Sequence, residues 1–243
     1  MVQLGKLNTN IDLLNLATEL NENKNILFIE YGGYISKGDN GKKPSKNNKP
    51  RKYFYNQLTI HIYNETKTNN RINVKVFNNG RVQMTGINNE FQGGVTIRTL
   101  CQELNALNEK EKIFDTEDSI QSIEDLETVL INSDFDIGFP IDRESLHRAI
   151  VESGYYSSYE PCSYPGVNIK YYRNPLIKNF GICDCENPCN GKGKDNTCKR
   201  ITVAVFKSGK IIITGGRDKT DISIAHKFIT EFIHENKEFI LLK

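Results

Sequence analysis

Apolar residues recur along this chain with two periods, and the clearer one is the period of a strand. Within residues 200–216, RITVAVFKSGKIIITGG, Ile201, Val203 and Val205 alternate with Thr202, Ala204 and Phe206, and Ser208-Gly209 offers a tight turn before a β-branched run resumes at Ile211. That pattern predicts a β-hairpin. Residues 71–86, RINVKVFNNGRVQMTG, repeat its frame: Phe77 corresponds to Phe206, Gly80 to Gly209, Arg81 to Lys210 and Thr85 to Thr214. A repeat this far apart predicts two similar halves and not a solenoid.

Around the hairpins the first half reads as a short strand over 1–7, a helix over 11–20 capped by Asn10, a strand over 26–31, a long loop over 32–52, a strand over 53–63 and a helix over 95–107. The helical stripes are Ile11, Leu14, Leu16 and Ala17, then Ile97, Leu100, Cys101, Leu104 and Leu107. The second half replays the order, with a strand over 128–137, a helix over 142–152, a strand or turn over 154–159, a strand over 164–172 and a helix over 221–234. Its stripes are Leu146, Ala149 and Ile150, then Ile222, Ala225, Phe228, Ile229 and Phe232. The expected fold class is α+β: an antiparallel sheet in each half, covered by helices on one face. The expected divisions are 1–107, an acidic connector over 108–122, and 123–243. With helices on one side, the other sheet face lies open, and Tyr55, Phe77, Tyr164, Ala204, Phe206 and Ile212 are expected on it. An open face so apolar calls for a partner.

Composition changes this picture little, and charge somewhat more. The 243 residues carry a net charge of only +2, so no global field points to a polyanion. The charge is uneven, however: residues 37–52 form a strongly basic loop, read either as a solvated linker or as a phosphate-contacting arm. No apolar run reaches membrane-spanning length and no signal-peptide pattern opens the chain, so no membrane partner is expected and the thiols are expected reduced. The four histidines are scattered, without a nucleophile motif or phosphate-binding glycine loop, and no catalytic role is expected.

Four runs then occur in order: Phe139-Pro140-Ile141, the segment Tyr156-Ser157-Ser158-Tyr159-Glu160-Pro161, Tyr164-Pro165-Gly166, and Phe206-Lys207-Ser208-Gly209-Lys210 leading to Thr214-Gly215. In these runs the chain resembles the TATA-box-binding protein family. The resemblance implies a two-repeat saddle, a curved antiparallel sheet with helices on its convex face. The concave side would lie in the minor groove of double-stranded AT-rich promoter DNA and bend it, with apolar wedges unstacking base steps. Carried over by position, the wedges are Tyr55, Phe77, Tyr164 and Phe206, and Thr85 and Thr214 are hydrogen-bonding residues at the base edges. Ala204 and Ile212 line the same surface, Arg81 and Lys210 flank it, and Lys75 and Gln83 stand where the family places apolar residues. Leu130 takes the place of a family asparagine, with Asn132 two residues on along the same strand face.

Tyr159, Glu160 and Pro161 match the segment that holds a transcription factor IIB-like protein, and the RNA polymerase machinery is the further implied partner. The resemblance implies nucleation of a transcription pre-initiation complex and no required cofactor; the alternative is a saddle kept as a protein-docking module. The abundance of Asn, Lys and Ile points to an AT-rich genome such as that of a DNA virus, and with it to the nucleus or a cytoplasmic viral factory. An insertion over 174–199 has no place in the family pattern. It holds Cys183, Cys185, Cys189 and Cys198, a set suited either to a structural zinc or to two disulfides. Cys101 is expected in a helix core and Cys162 in a loop.

Overall fold

The computed structural model describes residues 1–41, 53–65, 71–114, 120, 124–174, 177–183, 185, 190–193 and 198–242, in two compact units, Met1–Val129 and Leu130–Lys243. In the first unit, strands β1 (Val2–Lys6), β2 (Ile26–Tyr31), β3 (Ile35–Gly38), β4 (Gln57–Tyr63), β5 (Arg71–Phe77) and β6 (Arg81–Thr85) form an antiparallel sheet in the order β1-β6-β5-β4-β2-β3. Helices α1 (Leu13–Glu19) and α2 (Glu90–Asn108) cover one face. Strand β7 (Glu124–Asp136) leads into the second unit. There β8 (Tyr156–Ser158), β9 (Val167–Asn174), β10 (Ile177–Gly181), β11 (Lys199–Val205) and β12 (Lys210–Gly216) follow. Their order is β7-β12-β11-β9-β10, with β8 also on β9, and helices α3 (Arg143–Glu152), α4 (Lys219–Glu235) and α5 (Lys237–Ile240) accompany them.

Each unit has its own core, and strict alternation builds it. Ile72, Val74 and Val76 of β5, with Val82 and Met84 of β6, are buried against Ile97, Leu100 and Leu104 of α2. Ile201, Val203 and Val205 of β11, with Ile211 and Ile213 of β12, are buried with Ala225, Ile229 and Ile233 of α4. Each of these Val, Leu, Ile and Met side chains contributes about 1.5–3 kcal/mol by leaving water. Residues one step out of phase turn to the other face, which no helix among the described residues covers.

The hairpin turns are the tightest points. Gly80 and Gly209 have φ of +75° and +88°, where a side chain is strained. A Cβ at Gly80 would lie 2.2 Å from the carbonyl oxygens of Leu7 and Thr9, and one at Gly209 would lie 2.3 Å from that of Phe139. The turns are tied to the segments entering the first helix of each unit: Leu7 N donates to Gly80 O and Ile11 N to Asn78 O, while Ile137 N donates to Gly209 O and Ile141 N to Lys207 O. Just beyond, Asp12 and Asp142 cap α1 and α3 through their carboxylates. The carboxyl of Asp142 is held below its ordinary value, first by the Ser145 hydroxyl and then by backbone amides of the helix turn.

Several expected boundaries move. The cap of α1 is Asp12 and not Asn10, because Ile11 is taken into a bridge with Phe114, and Leu14 is half exposed instead of buried. The 32–52 segment is not all loop: β3 folds back on β2, pairing Ile35 with Tyr31 across two left-handed glycines, Gly32 and Gly33. The chain from 53 to 56 precedes β4 rather than belonging to it. The 174–199 insertion contributes β10 to the sheet. Of the basic loop, Lys37 donates to the Thr18 and Leu20 carbonyls at the end of α1, at 2.6 and 2.7 Å, and is an anchor of the fold; residues 42–52 lie outside the described residues.

Gly209→Ala is expected to destabilise the second unit by about 2–4 kcal/mol, since strain at positive φ adds to displacement of the Phe139 carbonyl. Chemical denaturation checks it; a change below about 0.5 kcal/mol would remove the turn from this role.

Candidate nucleic-acid interface

The uncovered face of the second unit is built from cross-strand rows. One row runs Lys170 (β9), Thr202 (β11), Thr214 (β12) and Asn132 (β7), each directly paired with the next. Thr214 Oγ1 donates to Asn132 Oδ1 at 2.5 Å, and Lys170 Nζ donates to Thr202 Oγ1 at 3.1 Å and to Asn168 Oδ1 at 2.8 Å. Burial pulls the Lys170 amine below the ordinary lysine value, and nearby Arg200 adds to the effect. The next row is Asn168, Ala204, Ile212 and Asp134. Ala204 lies on the expected face but is only 4% exposed, so it is a recessed floor position and not an accessible contact; its methyl is shorter than every side chain beside it. Ile212 is exposed.

Beyond these rows stand two rings. Tyr164 and Phe206 meet edge to face, centroids 5.8 Å apart, and both rest against the backbone at Gly166, where a Cβ would come within 3.0 Å of one and 3.3 Å of the other. An open depression of about 800 Å3 lies at the foot of Phe206, lined by Asn132, Asp134, Asp136, Lys210, Ile212 and Thr214 among others.

The first unit repeats the frame with other chemistry. Thr85 pairs with Asn73 and Val2, and Gln83 with Lys75 and Leu4. Thus Val2 occupies the place of Asn132, and the Lys75–Gln83 pair the place of Ala204–Ile212. A depression of about 640 Å3 beside Phe77 is lined by Leu4, Lys6, Arg81, Gln83 and Glu127 among others. Tyr55 is 66% exposed, ahead of β4, and its carbonyl accepts from the Tyr31 hydroxyl. Among the described residues no ring contact joins it to Phe77, so only the second unit brings its two aromatic candidates together.

Tyr159 is half buried beneath Arg143, whose guanidinium carbon stands 5.2 Å from the ring centroid and which donates to the Pro165 carbonyl. Glu160 and Pro161 are exposed, and the Glu160 carbonyl accepts from Ser163 N and Tyr164 N, so this turn leads directly into the aromatic pair. Sequence reading missed Lys170, Thr202 and Asp134. Counting in steps of two along each strand puts them on the open face, but their alignment with Thr214 and Ile212 needs the register.

The sulfurs of Cys183, Cys185 and Cys198 lie within 4.8 Å of one another, a cluster that can hold a metal ion, and Cys189 lies outside the described residues. Cys101 is buried in the α2 core and Cys162 is exposed, as expected. No helix among the described residues is long and apolar enough to cross a membrane.

Comparison with known proteins adds the decisive observation: the family description "Transcription factor TFIID (or TATA-binding protein, TBP)" matches residues 126–236. That span, most of the second unit, carries the TATA-binding-protein family domain. A "TATA-box-binding protein-like" protein of Acanthamoeba polyphaga mimivirus is 30% identical over 200 residues, covering 77% of this chain and 48% of its own length. A "TBP-related factor" of Drosophila melanogaster is 28% identical over 152 residues, covering 63% of this chain and 51% of its own length. The chain therefore spans about half the length of these relatives. The structure of "Methanococcus jannaschii TBP" superposes with a TM-score of 0.54 at 20% identity, covering 96% of this chain and 95% of that one, which shows a shared α+β fold. The matched family span contains Asn132, Tyr164, Phe206 and Thr214, hence the whole uncovered face of the second unit.

Burial raises the Cys101 thiol to about 11, so at pH 8 only about one molecule in a thousand carries its thiolate. Alkylation of the folded chain at that pH is expected to modify Cys162 and spare Cys101, with Cys101 reacting once the chain unfolds; peptide mapping by mass spectrometry reads both.

Proposed function

We propose that the uncovered sheet faces bind the minor groove of AT-rich promoter duplex DNA and bend it, and that the protein nucleates a transcription pre-initiation complex. The observation that carries this reading is the Tyr164–Phe206 ring pair at the end of the open face that also bears the Lys170–Thr202–Thr214–Asn132 row. Rings at the edge of a flat surface can wedge a base step open, and the row then meets the exposed groove floor. An A·T pair presents only acceptors there, N3 and O2, so hydroxyl, amide and ammonium donors suit it. Arg81, Lys210 and Lys6 lie at the margins, where they would meet phosphates. Tyr55, Phe77 and Thr85 would serve the first unit in the same way, with Lys75 and Gln83 adding donors to its floor.

The turn at Tyr159, Glu160 and Pro161 would receive a transcription factor IIB-like protein, with the RNA polymerase machinery as the further partner. The mimivirus relative supports a role in viral transcription, in the nucleus or a cytoplasmic viral factory. A second reading, a protein-docking module that no longer bends DNA, is favoured by one feature: Asp134 and Asp136 in the second unit and Glu127 in the first place carboxylates beside the depressions. A carboxylate repels phosphates and the acceptor edges of A·T pairs; only the guanine amino group suits it in this groove.

Energy transfer between the ends of a duplex carrying TATAAA, against a GC-rich control, decides between the readings. Bending of the first duplex alone is expected; no bending of either at micromolar protein would leave the docking module. Phe206→Ala should remove most of the bend, while Lys210→Ala should leave the bent geometry and lower the salt slope of binding by about 1. Asp134→Asn should tighten binding to the AT-rich duplex by about 1–3 kcal/mol, measured by titration at fixed salt.

A further inference from the structure

We propose that Cys183, Cys185 and Cys198 form a structural zinc site that clasps the edge of the second unit's sheet. The three sulfurs lie within 4.8 Å of one another, and those of Cys185 and Cys198 are 3.6 Å apart. Zinc bonded to sulfur at about 2.3 Å in a tetrahedron sets sulfurs about 3.8 Å apart; the Cys185–Cys198 pair stands near that spacing, and the Cys183 sulfur lies close enough to join it. A single disulfide would join only two of these three sulfurs. A metal uses them all, and each thiol releases its proton to solvent on binding.

The topology says what the clasp holds. In the first unit, the six residues of β2 cover the edge of β4 from Leu58 to Ile62. In the second, β8 has only three residues and covers β9 from Asn168 to Lys170. The inserted β10 covers what is left, pairing Ile177 with Asn174 and Gly181 with Tyr172 across a register shift. So few ladder bonds hold an edge strand weakly, and an uncovered edge invites pairing with other chains. Cys183 follows β10 by two residues and Cys198 precedes β11 by one, and both strand ends meet β9 at neighbouring positions, Tyr172 and Arg173. A metal joining these cysteines ties β10 to β11 across the end of β9, doing by coordination what β2 does by length.

The surroundings are prepared for it. Cys198 is fully buried, and its carbonyl accepts from Gly193 N, while Arg200 N donates to Gly191 O and Arg217 to Lys192 O. These contacts bring Lys192, Lys199, Arg200 and Arg217 around the loop. Zinc with three thiolates carries a net negative charge that would offset this gathering of cations.

The test takes the full chain, expressed with zinc and purified under reducing conditions. One zinc per chain is expected by atomic emission, and replacement by cobalt(II) should give tetrahedral absorption with a thiolate charge-transfer band. Chelation should lower the thermal midpoint and zinc should restore it. Cys183→Ala, at a half-buried position, and Cys198→Ala should each lose the metal, whereas Cys162→Ala should keep it. No bound zinc in the wild-type chain, zinc retained in a Cys183→Ala/Cys198→Ala double variant, or a Cys185–Cys198 disulfide in the non-reduced peptide map would each overturn the site. None of these readouts involves DNA, so the zinc site and the DNA-binding reading fail separately.

Discussion

In each unit a glycine at the hairpin turn is pressed under a carbonyl of the segment that enters the first helix, Gly80 under Leu7 and Thr9, Gly209 under Phe139. Much else depends on this contact. It fixes where β5 meets β6 and β11 meets β12, and so which residues of each strand pair and which face they take. It also sets the first helix, because the same segment carries the capping Asp12 or Asp142 one residue beyond its hydrogen bond to the turn. Phe77 and Phe206 sit at the mouths of these turns, each carbonyl accepting from the turn glycine's amide, so the rings are placed by the backbone that the glycines permit.

Helices on one side of a sheet make the two faces unequal in what they can tolerate. On the covered face, almost any change of volume costs packing energy, and both units keep branched aliphatic residues there. The uncovered face is under no such constraint, and there the units part: Lys75 and Gln83 in one, Ala204 and Ile212 in the other, at the same register positions. One fold thus presents two surfaces of different chemistry, the first with a Lys75–Gln83 pair at its centre, the second with an Ala204–Ile212 pair and a paired aromatic edge.

The insertion after β9 answers a different problem. A three-residue β8 cannot cover an eight-residue β9, and the chain completes the edge from a segment too short for a core of its own. Arg173 at the end of β9 forms an ion pair with buried Asp221 of α4, so this end of the sheet is also tied to the helix layer.

The sequence by itself determined the alternation of both hairpins, the repeat of their frame, the stripes of the longer helices and the four runs that resemble the TATA-binding proteins. All are local patterns whose period or order survives without any partner. It also marked Thr214, Phe206 and Tyr164, since each lies in a run. What only the tertiary structure decided depends on a partner distant in sequence. Asn132 meets Thr214 across 82 positions. Lys170 joins that row only because β9 lies beside β11 in one register. Ala204 is recessed because taller neighbours flank it, Lys37 turns back to the carbonyls of α1, and β10 exists because β8 leaves an edge open. Cys183, Cys185 and Cys198 are scattered along a polar loop, and only the pairing of β10 and β11 with the same strand brings their sulfurs together.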